Sequence, residues 1–138
     1  MALLDTTVFV DLEGRGGKRR KAEAQEMLRQ IMQTGESLVT SRVNLAELYV
    51  GLELSDDPLE ERAAIANYLA WVAVLELDDA AARQFGRIRA ELQRRGKLIG
   101  DLDLLIAGVA LANGEAVVTR NHDHFSSVPG LKVIDYGT

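Results

Sequence analysis

Residues 101–119 read DLDLLIAGVALANGEAVVT, and their pattern indicates the class of fold. Its first twelve residues carry apolar side chains at helical spacing, and Asn113-Gly114 follows them as a typical helix end. Residues 116–119 are apolar and rich in β-branched side chains, which predicts a buried strand. A helix that leads directly into a buried strand is typical of a βαβ unit, whose strands run parallel.

The same alternation extends outward over the rest of the chain. Strands are predicted at residues 2–4, 37–40, 72–75, 116–119 and 132–134, and helices at 21–31, 42–54, 58–70, 78–95 and 101–112. Ser41, Asp57 and Asp101 are predicted helix N-caps, and residues 13–17, which include three glycines, are predicted to form a mobile loop. The sequence therefore predicts one α/β domain over residues 1–138, with four to five short parallel strands and helices on both faces of the sheet.

Composition excludes several classes of protein. The absence of cysteine excludes a disulfide scaffold, a zinc ribbon and a thiol nucleophile. No apolar run approaches the ~20 residues that span a bilayer, and no signal-peptide pattern is present, so we expect a cytoplasmic protein without a membrane partner. The net charge of −5 excludes a general cationic coat for nucleic acid.

Basic residues are concentrated in two segments. Residues 15–21 carry five basic side chains and no acid, and Lys18, Arg19 and Arg20 belong to this group. Residues 83–97 carry six basic side chains and one acidic one. These segments are candidate contacts for RNA phosphates, although two solvated helix faces would have the same composition.

Three carboxylates are candidates for the chemistry of the protein. Asp5 ends the first strand, and Glu47 and Asp103 interrupt apolar helix stripes. A buried carboxylate must be paired, protonated or bound to a cation, so a helix cap at Asp5 and a salt bridge from an arginine to Glu47 are alternatives. The helix over residues 42–54 is apolar on opposite sides and is therefore predicted to be largely enclosed. An oxygen-only set of ligands suits Mg²⁺ or Mn²⁺ and is typical of phosphoryl transfer. The His122-Asp123-His124 segment is a weaker metal pattern, because it lacks a third ligand.

Four blocks of the chain resemble PIN-domain ribonucleases, in particular the VapC-type toxins of toxin–antitoxin pairs. They are residues 3–9 (LLDTTVF), 44–48 (NLAEL), 99–107 (IGDLDLLIA) and 118–125 (VTRNHDHF), and they follow the family's order. The resemblance implies a PIN-like domain and a Mg²⁺- or Mn²⁺-dependent endoribonuclease. Asp5 and Asp103 would hold the metal, and Glu47 would bind it directly or through water.

The same resemblance bears on the remaining site residues. The family's fourth acidic position is Asn121 here, and Asp123 is close enough in sequence to replace it. Thr6 and Thr119 are candidate hydrogen-bond donors to the carboxylates or to a substrate phosphate.

The resemblance also implies partners. An RNA substrate, a cognate antitoxin and a second copy in a homodimer are expected, and the helix around Leu48, Tyr49 and Leu52 is predicted to supply one of these surfaces. Two alternatives stay open. One is a catalytically silent nucleic-acid-binding module, for which Asn121 is the main argument. The other is a phosphatase or a DNA-directed nuclease that uses the same carboxylates.

Overall fold

Five short parallel strands form one sheet at the centre of the molecule. In the computed structural model, which describes residues 1–137, the strands are β1 (Ala2–Leu4), β2 (Leu38–Ser41), β3 (Ala73–Leu75), β4 (Ala116–Thr119) and β5 (Val133–Asp135). Their order in the sheet is β3-β2-β1-β4-β5, and every neighbouring pair is parallel. The predicted α/β class and all five strands are confirmed, each strand to within one residue at either end. Because β2 and β4 flank β1 on opposite sides, the carboxyl ends of β1 and β4 border the crevice where ligands bind in such sheets.

Seven helices surround the sheet within residues 1–137. They are α1 (Thr6–Leu12), α2 (Lys18–Gln33), α3 (Arg42–Leu54), α4 (Pro58–Trp71), α5 (Asp79–Arg94), α6 (Asp101–Ala112) and α7 (His122–Phe125). The sequence did not indicate α1 and α7, because seven and four residues are too few to show helical periodicity. None of the helices in this part of the chain has the length and apolarity needed to cross a membrane.

Two of the three predicted helix caps are confirmed. The side chains of Ser41 and Asp57 accept hydrogen bonds from the backbone N–H groups three residues further on. The prediction for Asp101 is wrong, because α6 begins at Asp101 itself and its N-cap is Gly100. The Asp101 carboxylate instead accepts a hydrogen bond from Nε of Arg89 at 3.1 Å, a partner on α5 that no local pattern could indicate.

Helix α3 is buried on one side only, so the prediction that it is enclosed is wrong. Leu45, Leu48 and Leu52 are buried, whereas Val50 and Leu54 are exposed. Apolar residues on both sides of a helix do not show which side meets the core, because apolar atoms make up much of any protein surface. It follows that Leu48 and Leu52 are core residues. Of the three residues predicted for the partner surface, only Tyr49 is exposed.

The core lies in two layers, one on each face of the sheet. Alternate residues of β1 point to opposite faces, so that Leu4 packs with α2, α3 and α4 while Leu3 packs with α5 and α6. Val118 and Val117 of β4 divide between the two layers in the same way. The two central strands are therefore buried on both faces, which fixes the positions of the residues that follow them.

The packing of α5 against α6 depends on a glycine. A Cβ atom at Gly108 would lie 2.8 Å from the carbonyl oxygen of Ala81 and 3.1 Å from the backbone nitrogen of Phe85. Both contacts are with backbone atoms, which cannot move aside without shifting the helix. Gly108 is thus the residue that lets the helix carrying Asp103 approach α5 closely.

We predict that Gly108→Ala lowers the free energy of unfolding by about 1–3 kcal/mol, because the added methyl group overpacks this interface. Gly86→Ala is the matched control, since a Cβ atom there meets no atom within 4 Å. It should raise stability by about 0.5–1 kcal/mol, as alanine does in a helix interior. Urea denaturation of both variants measures the difference, and equal stability of Gly108→Ala and the unaltered chain would contradict the prediction.

Candidate active site

A cavity of about 290 Å³ opens at the carboxyl ends of β1 and β4. The three predicted carboxylates line it together, with Asp5 following β1, Glu47 from α3 and Asp103 from the first turn of α6. Thr6, Asn121 and Arg20 line the same cavity, and Thr119 is buried behind Asp5. The fold therefore brings side chains that are far apart in sequence to one edge of the sheet.

Asp5 is only 3% exposed and is held by neutral groups. Its carboxylate accepts hydrogen bonds from Thr119 Oγ1 at 2.7 Å, Asn44 Nδ2 at 3.1 Å and Thr7 Oγ1 at 3.3 Å. Although Asp5 is the N-cap residue of α1, its side chain makes no capping hydrogen bond, so a helix cap does not explain this carboxylate. Burial raises the pKa of the Asp5 carboxyl, the hydrogen bond from Thr119 opposes that rise, and the negative charge of Asp103 adds to it.

Glu47 has a similar environment at the rim of the cavity. Its carboxylate accepts a hydrogen bond from Thr6 Oγ1 at 2.7 Å, and it forms no ion pair within residues 1–137, so the alternative of a salt bridge to arginine is wrong. Partial burial raises the pKa of Glu47, and the negative charges of Asp5 and Asp103 raise it further. The three carboxylates therefore repel one another, and none of them forms an ion pair with an arginine or lysine among the described residues.

Asp103 contacts a histidine that the sequence did not connect with it. Its Oδ2 atom lies 2.9 Å from Nδ1 of His124, which belongs to the short helix α7. The sequence pattern presented His124 only as part of a weak metal motif with His122. No local signal could place α7 against α6, because the contact joins residues 21 positions apart through packing alone.

The structure distinguishes the two candidates for the fourth site position. Asn121 lines the cavity with the three carboxylates. The carboxylate of Asp123 is fully exposed outside that cavity, where it lies 3.8 Å from Nδ1 of His122. Asn121 is thus brought to the site and Asp123 is not, although the chemical role of either residue stays a prediction.

Only one residue of the predicted basic segment at 15–21 faces the cavity. Arg20 lines it and forms no ion pair with any described residue. Arg15 forms ion pairs with Glu13 and Glu61, and Arg19 pairs with Glu23, while Lys18 lies outside the cavity lining. In the second segment the paired arginines are Arg83, Arg89 and Arg95, and no residue of 83–97 lines the cavity.

A second arginine that lines the cavity, Arg120, makes its contacts with other residues of the protein. Nε of Arg120 donates to the buried carboxylate of Asp11 at 2.7 Å, and the guanidinium lies over the Tyr136 ring, 4.8 Å from its centroid. The Tyr136 hydroxyl donates to the same Asp11 oxygen at 2.8 Å. This group fastens the segment after β5 to α1, and neither Asp11 nor Tyr136 was indicated by the sequence.

The donor set fits a hard divalent cation. Within residues 1–137, no three His, Asp or Glu side chains are arranged around a common point as a ready-made metal site. Asp5, Glu47 and Asp103 nevertheless line one cavity and offer only oxygen atoms, and the charge of Asp103 raises the pKa of both Asp5 and Glu47. A cation placed among them would relieve this repulsion, and oxygen ligands are those that Mg²⁺ and Mn²⁺ prefer.

Comparisons with known proteins agree with this arrangement. Residues 2–131 match the model of the PIN domain. This chain belongs to the PIN-domain family. It is 42% identical over 96 residues to the tRNA(fMet)-specific endonuclease VapC of Shigella flexneri, a match that covers 70% of this chain and 73% of the relative.

Solved structures extend the comparison over nearly the whole PIN-domain chain. DNA-bound VapBC from Salmonella typhimurium matches with a TM-score of 0.81 and 31% identity over 98% of both chains. VapBC-5 from Mycobacterium tuberculosis, described as a member of the VapBC family of toxin–antitoxin systems, matches with a TM-score of 0.71 and 26% identity over 97% of both chains. The resemblance to PIN domains seen in the sequence is confirmed.

The repulsion within the cavity predicts how the stability of this PIN domain depends on pH. The folded chain holds Asp5 and Glu47 at raised pKa values, so just above the usual carboxyl range it binds more protons than the unfolded chain, and stability falls as pH rises. Asp103→Asn removes one repelling charge and keeps an oxygen acceptor for His124. It should therefore raise the free energy of unfolding at pH 8 by up to about 1 kcal/mol, and the gain should shrink towards pH 4.

Thermal unfolding across this pH range measures the effect. The matched control is Asp101→Asn, which removes an exposed carboxylate that pairs with Arg89, and it should give no gain at pH 8. A lower melting temperature for Asp103→Asn at pH 8 would show that the contact of the Asp103 carboxylate with His124 outweighs the repulsion.

Proposed function

We propose that this chain is a metal-dependent endoribonuclease and the toxin of a toxin–antitoxin pair. The observation that carries the proposal is the meeting of Asp5, Glu47 and Asp103 in one cavity at the end of the central strand. The likeness to an endonuclease specific for tRNA(fMet) supports RNA as the substrate class, and the likeness to the two VapBC structures supports an antitoxin as a partner. A homodimer and a cytoplasmic location belong to the same proposal.

Mg²⁺, with Mn²⁺ as the alternative, is the proposed cofactor. Asp5 and Asp103 would hold the cation through their carboxylate oxygens, and Glu47 would bind it directly or through a water molecule. When bound, a divalent cation neutralises charge on the scissile phosphate and lowers the pKa of the attacking water. Asn121 adds an amide oxygen without a charge, which favours one tightly bound cation over two.

The residues of the chain prepare the site for this chemistry. Thr119, Asn44 and Thr7 fix the Asp5 carboxylate, and Thr6 fixes that of Glu47. These donors are uncharged, so the carboxylates are oriented while their negative charge is retained. Arg20 is the cation that can meet a phosphate of the RNA, because Arg120 is already engaged. Water attacks the phosphorus in line with the 3′-oxygen and releases a proton to solvent as its oxygen bonds to phosphorus. The bond from phosphorus to the 3′-oxygen breaks, and the 3′-oxygen takes a proton from solvent.

Substitution of the cavity carboxylates tests the proposed activity. Asp5→Asn and Asp103→Asn should each reduce cleavage of RNA at least about 100-fold, because each weakens a metal contribution worth several kcal/mol in the transition state. Asp101→Asn is the matched control, since its carboxylate lies outside the cavity lining and should leave cleavage unchanged. Cleavage is followed by gel electrophoresis, with initiator tRNA as the first substrate and added Mg²⁺ or Mn²⁺.

Parallel substrates separate the proposal from its alternatives. DNA of the same sequence and a phosphomonoester should remain intact under the same conditions. Equal cleavage of DNA would contradict the assignment to RNA, and hydrolysis of the phosphomonoester alone would indicate a phosphatase. Tight binding of RNA without cleavage in the presence of either metal would favour the silent binding module.

Arg20 is expected to contribute to RNA binding and not to the chemical step. Arg20→Ala should raise KM with little change in kcat, and the log–log slope of binding against salt should flatten by about 0.7–0.9. Arg29→Ala is the matched control, because Arg29 is an exposed arginine of the same helix that pairs with Glu26. RNA binding is measured by salt titration in an Asp5→Asn background. An unaltered slope of binding against salt would show that Arg20 does not contact an RNA phosphate.

A further inference from the structure

A second cavity, of about 460 Å³, adjoins the candidate active site. The linings of the two cavities share Arg120 and Asn121, so the cavities lie side by side. The second cavity is also lined by His122, Asp123, His124 and Asp135, and its volume lies in the range of small-ligand pockets. A nucleotide next to a phosphate in the first cavity would reach this space.

The charges in the second cavity are unsuited to a phosphate group. Arg120 is the only arginine or lysine among the described residues that line it, and all three guanidinium nitrogens have partners. Nε donates to Asp11, one terminal nitrogen donates to the carbonyl oxygen of Gly137 at 2.8 Å, and the other donates to Glu23 at 3.4 Å. The remaining charges are the carboxylates of Asp123 and Asp135, which would repel a phosphate and accept hydrogen bonds from an uncharged donor.

Two groups in this cavity can recognise a nucleobase. The His124 ring is about half exposed and is oriented by the contact of its Nδ1 atom with Asp103. Exposed imidazole rings are surfaces on which RNA bases stack. The Asp135 carboxylate, at the end of β5, forms no hydrogen bond or ion pair through its side chain with any described residue. A free carboxylate accepts hydrogen bonds from exocyclic amino groups, as it does from N4 of cytosine.

We propose that the second cavity is a nucleobase subsite beside the scissile phosphate and that it selects a base with an exocyclic amino group. This rests on the proposed ribonuclease function, since it assigns the base to the second cavity and the phosphate to the first. His124 provides the stacking surface and Asp135 the acceptor. Uracil is disfavoured because carbonyl oxygens flank its single N–H group and would face the carboxylate.

The chain has only two histidines, and both line the second cavity, so their imidazole proton resonances report directly on its occupancy. The probes are CMP, GMP, UMP and ribose 5-phosphate, titrated at fixed pH into the full chain carrying Asp5→Asn. His124→Gln assigns the two signals. CMP and GMP should reach half of the maximal His124 shift at about one tenth of the concentration that UMP requires. Ribose 5-phosphate should leave the resonance unshifted.

Asp135→Ala tests the acceptor, because it removes both carboxylate oxygens. It should bring the affinity for CMP and GMP down about tenfold, to that for UMP, whereas Asp56→Ala, at an exposed acid between α3 and α4, should leave the preference unchanged. Equal shifts with UMP and CMP, or shifts with ribose 5-phosphate, would overturn the subsite. The readout does not require catalysis: binding of CMP at His124 without RNA cleavage would contradict the proposed function alone, and RNA cleavage with an unperturbed His124 would contradict the subsite alone.

Discussion

The buried carboxylate of Asp5 at the end of β1 is held by hydrogen bonds alone, and the surrounding elements take their places around it. Its donors come from β4 (Thr119), α3 (Asn44) and α1 (Thr7). Asn44 is itself fixed by a reciprocal pair of hydrogen bonds with Ser41 at the start of α3. A buried charge without such partners would be too costly for the fold, so this one group links the central strands to two helices.

The three candidate carboxylates of the cavity differ from other acids of the molecule in how they are compensated. The buried acids Asp11 and Glu61 pair with arginines, and so does the exposed Glu76. Hydroxyl, amide and imidazole groups hold Asp5, Glu47 and Asp103 instead, while burial and the neighbouring carboxylate charges raise the pKa of Asp5 and Glu47. Such a site suits a divalent cation, because neutral donors fix the geometry while the cation supplies the missing charge.

Arg120 connects this site with the end of the chain. Its backbone N–H donates to Thr7, which also contacts Asp5, and its side chain is clamped between Asp11 and Tyr136. The residue therefore stabilises the strand end that carries Thr119 and Asn121, and it forms the wall shared by the two cavities. Because the Arg120 guanidinium is paired within the protein, Arg20 is the arginine of the first cavity that has no ion pair with a described residue.

The five strands and the caps at Ser41 and Asp57 could be predicted from the sequence, because strand composition and capping are local. Asp5 was indicated by its place at a strand end, since parallel strands present their carboxyl ends at one edge. Glu47 and Asp103 lie on helices, where they interrupt apolar stripes, and their grouping with Asp5 around one metal followed from the resemblance to PIN domains. Only the tertiary structure decided which side of α3 is buried, that Asp101 pairs with Arg89, and that His124 reaches Asp103. It also decided which arginine of residues 15–21 stays free, since Arg15 pairs with Glu61, 46 residues away. These choices depend on how helices pack across long separations, and the sequence pattern of any single segment is compatible with more than one outcome.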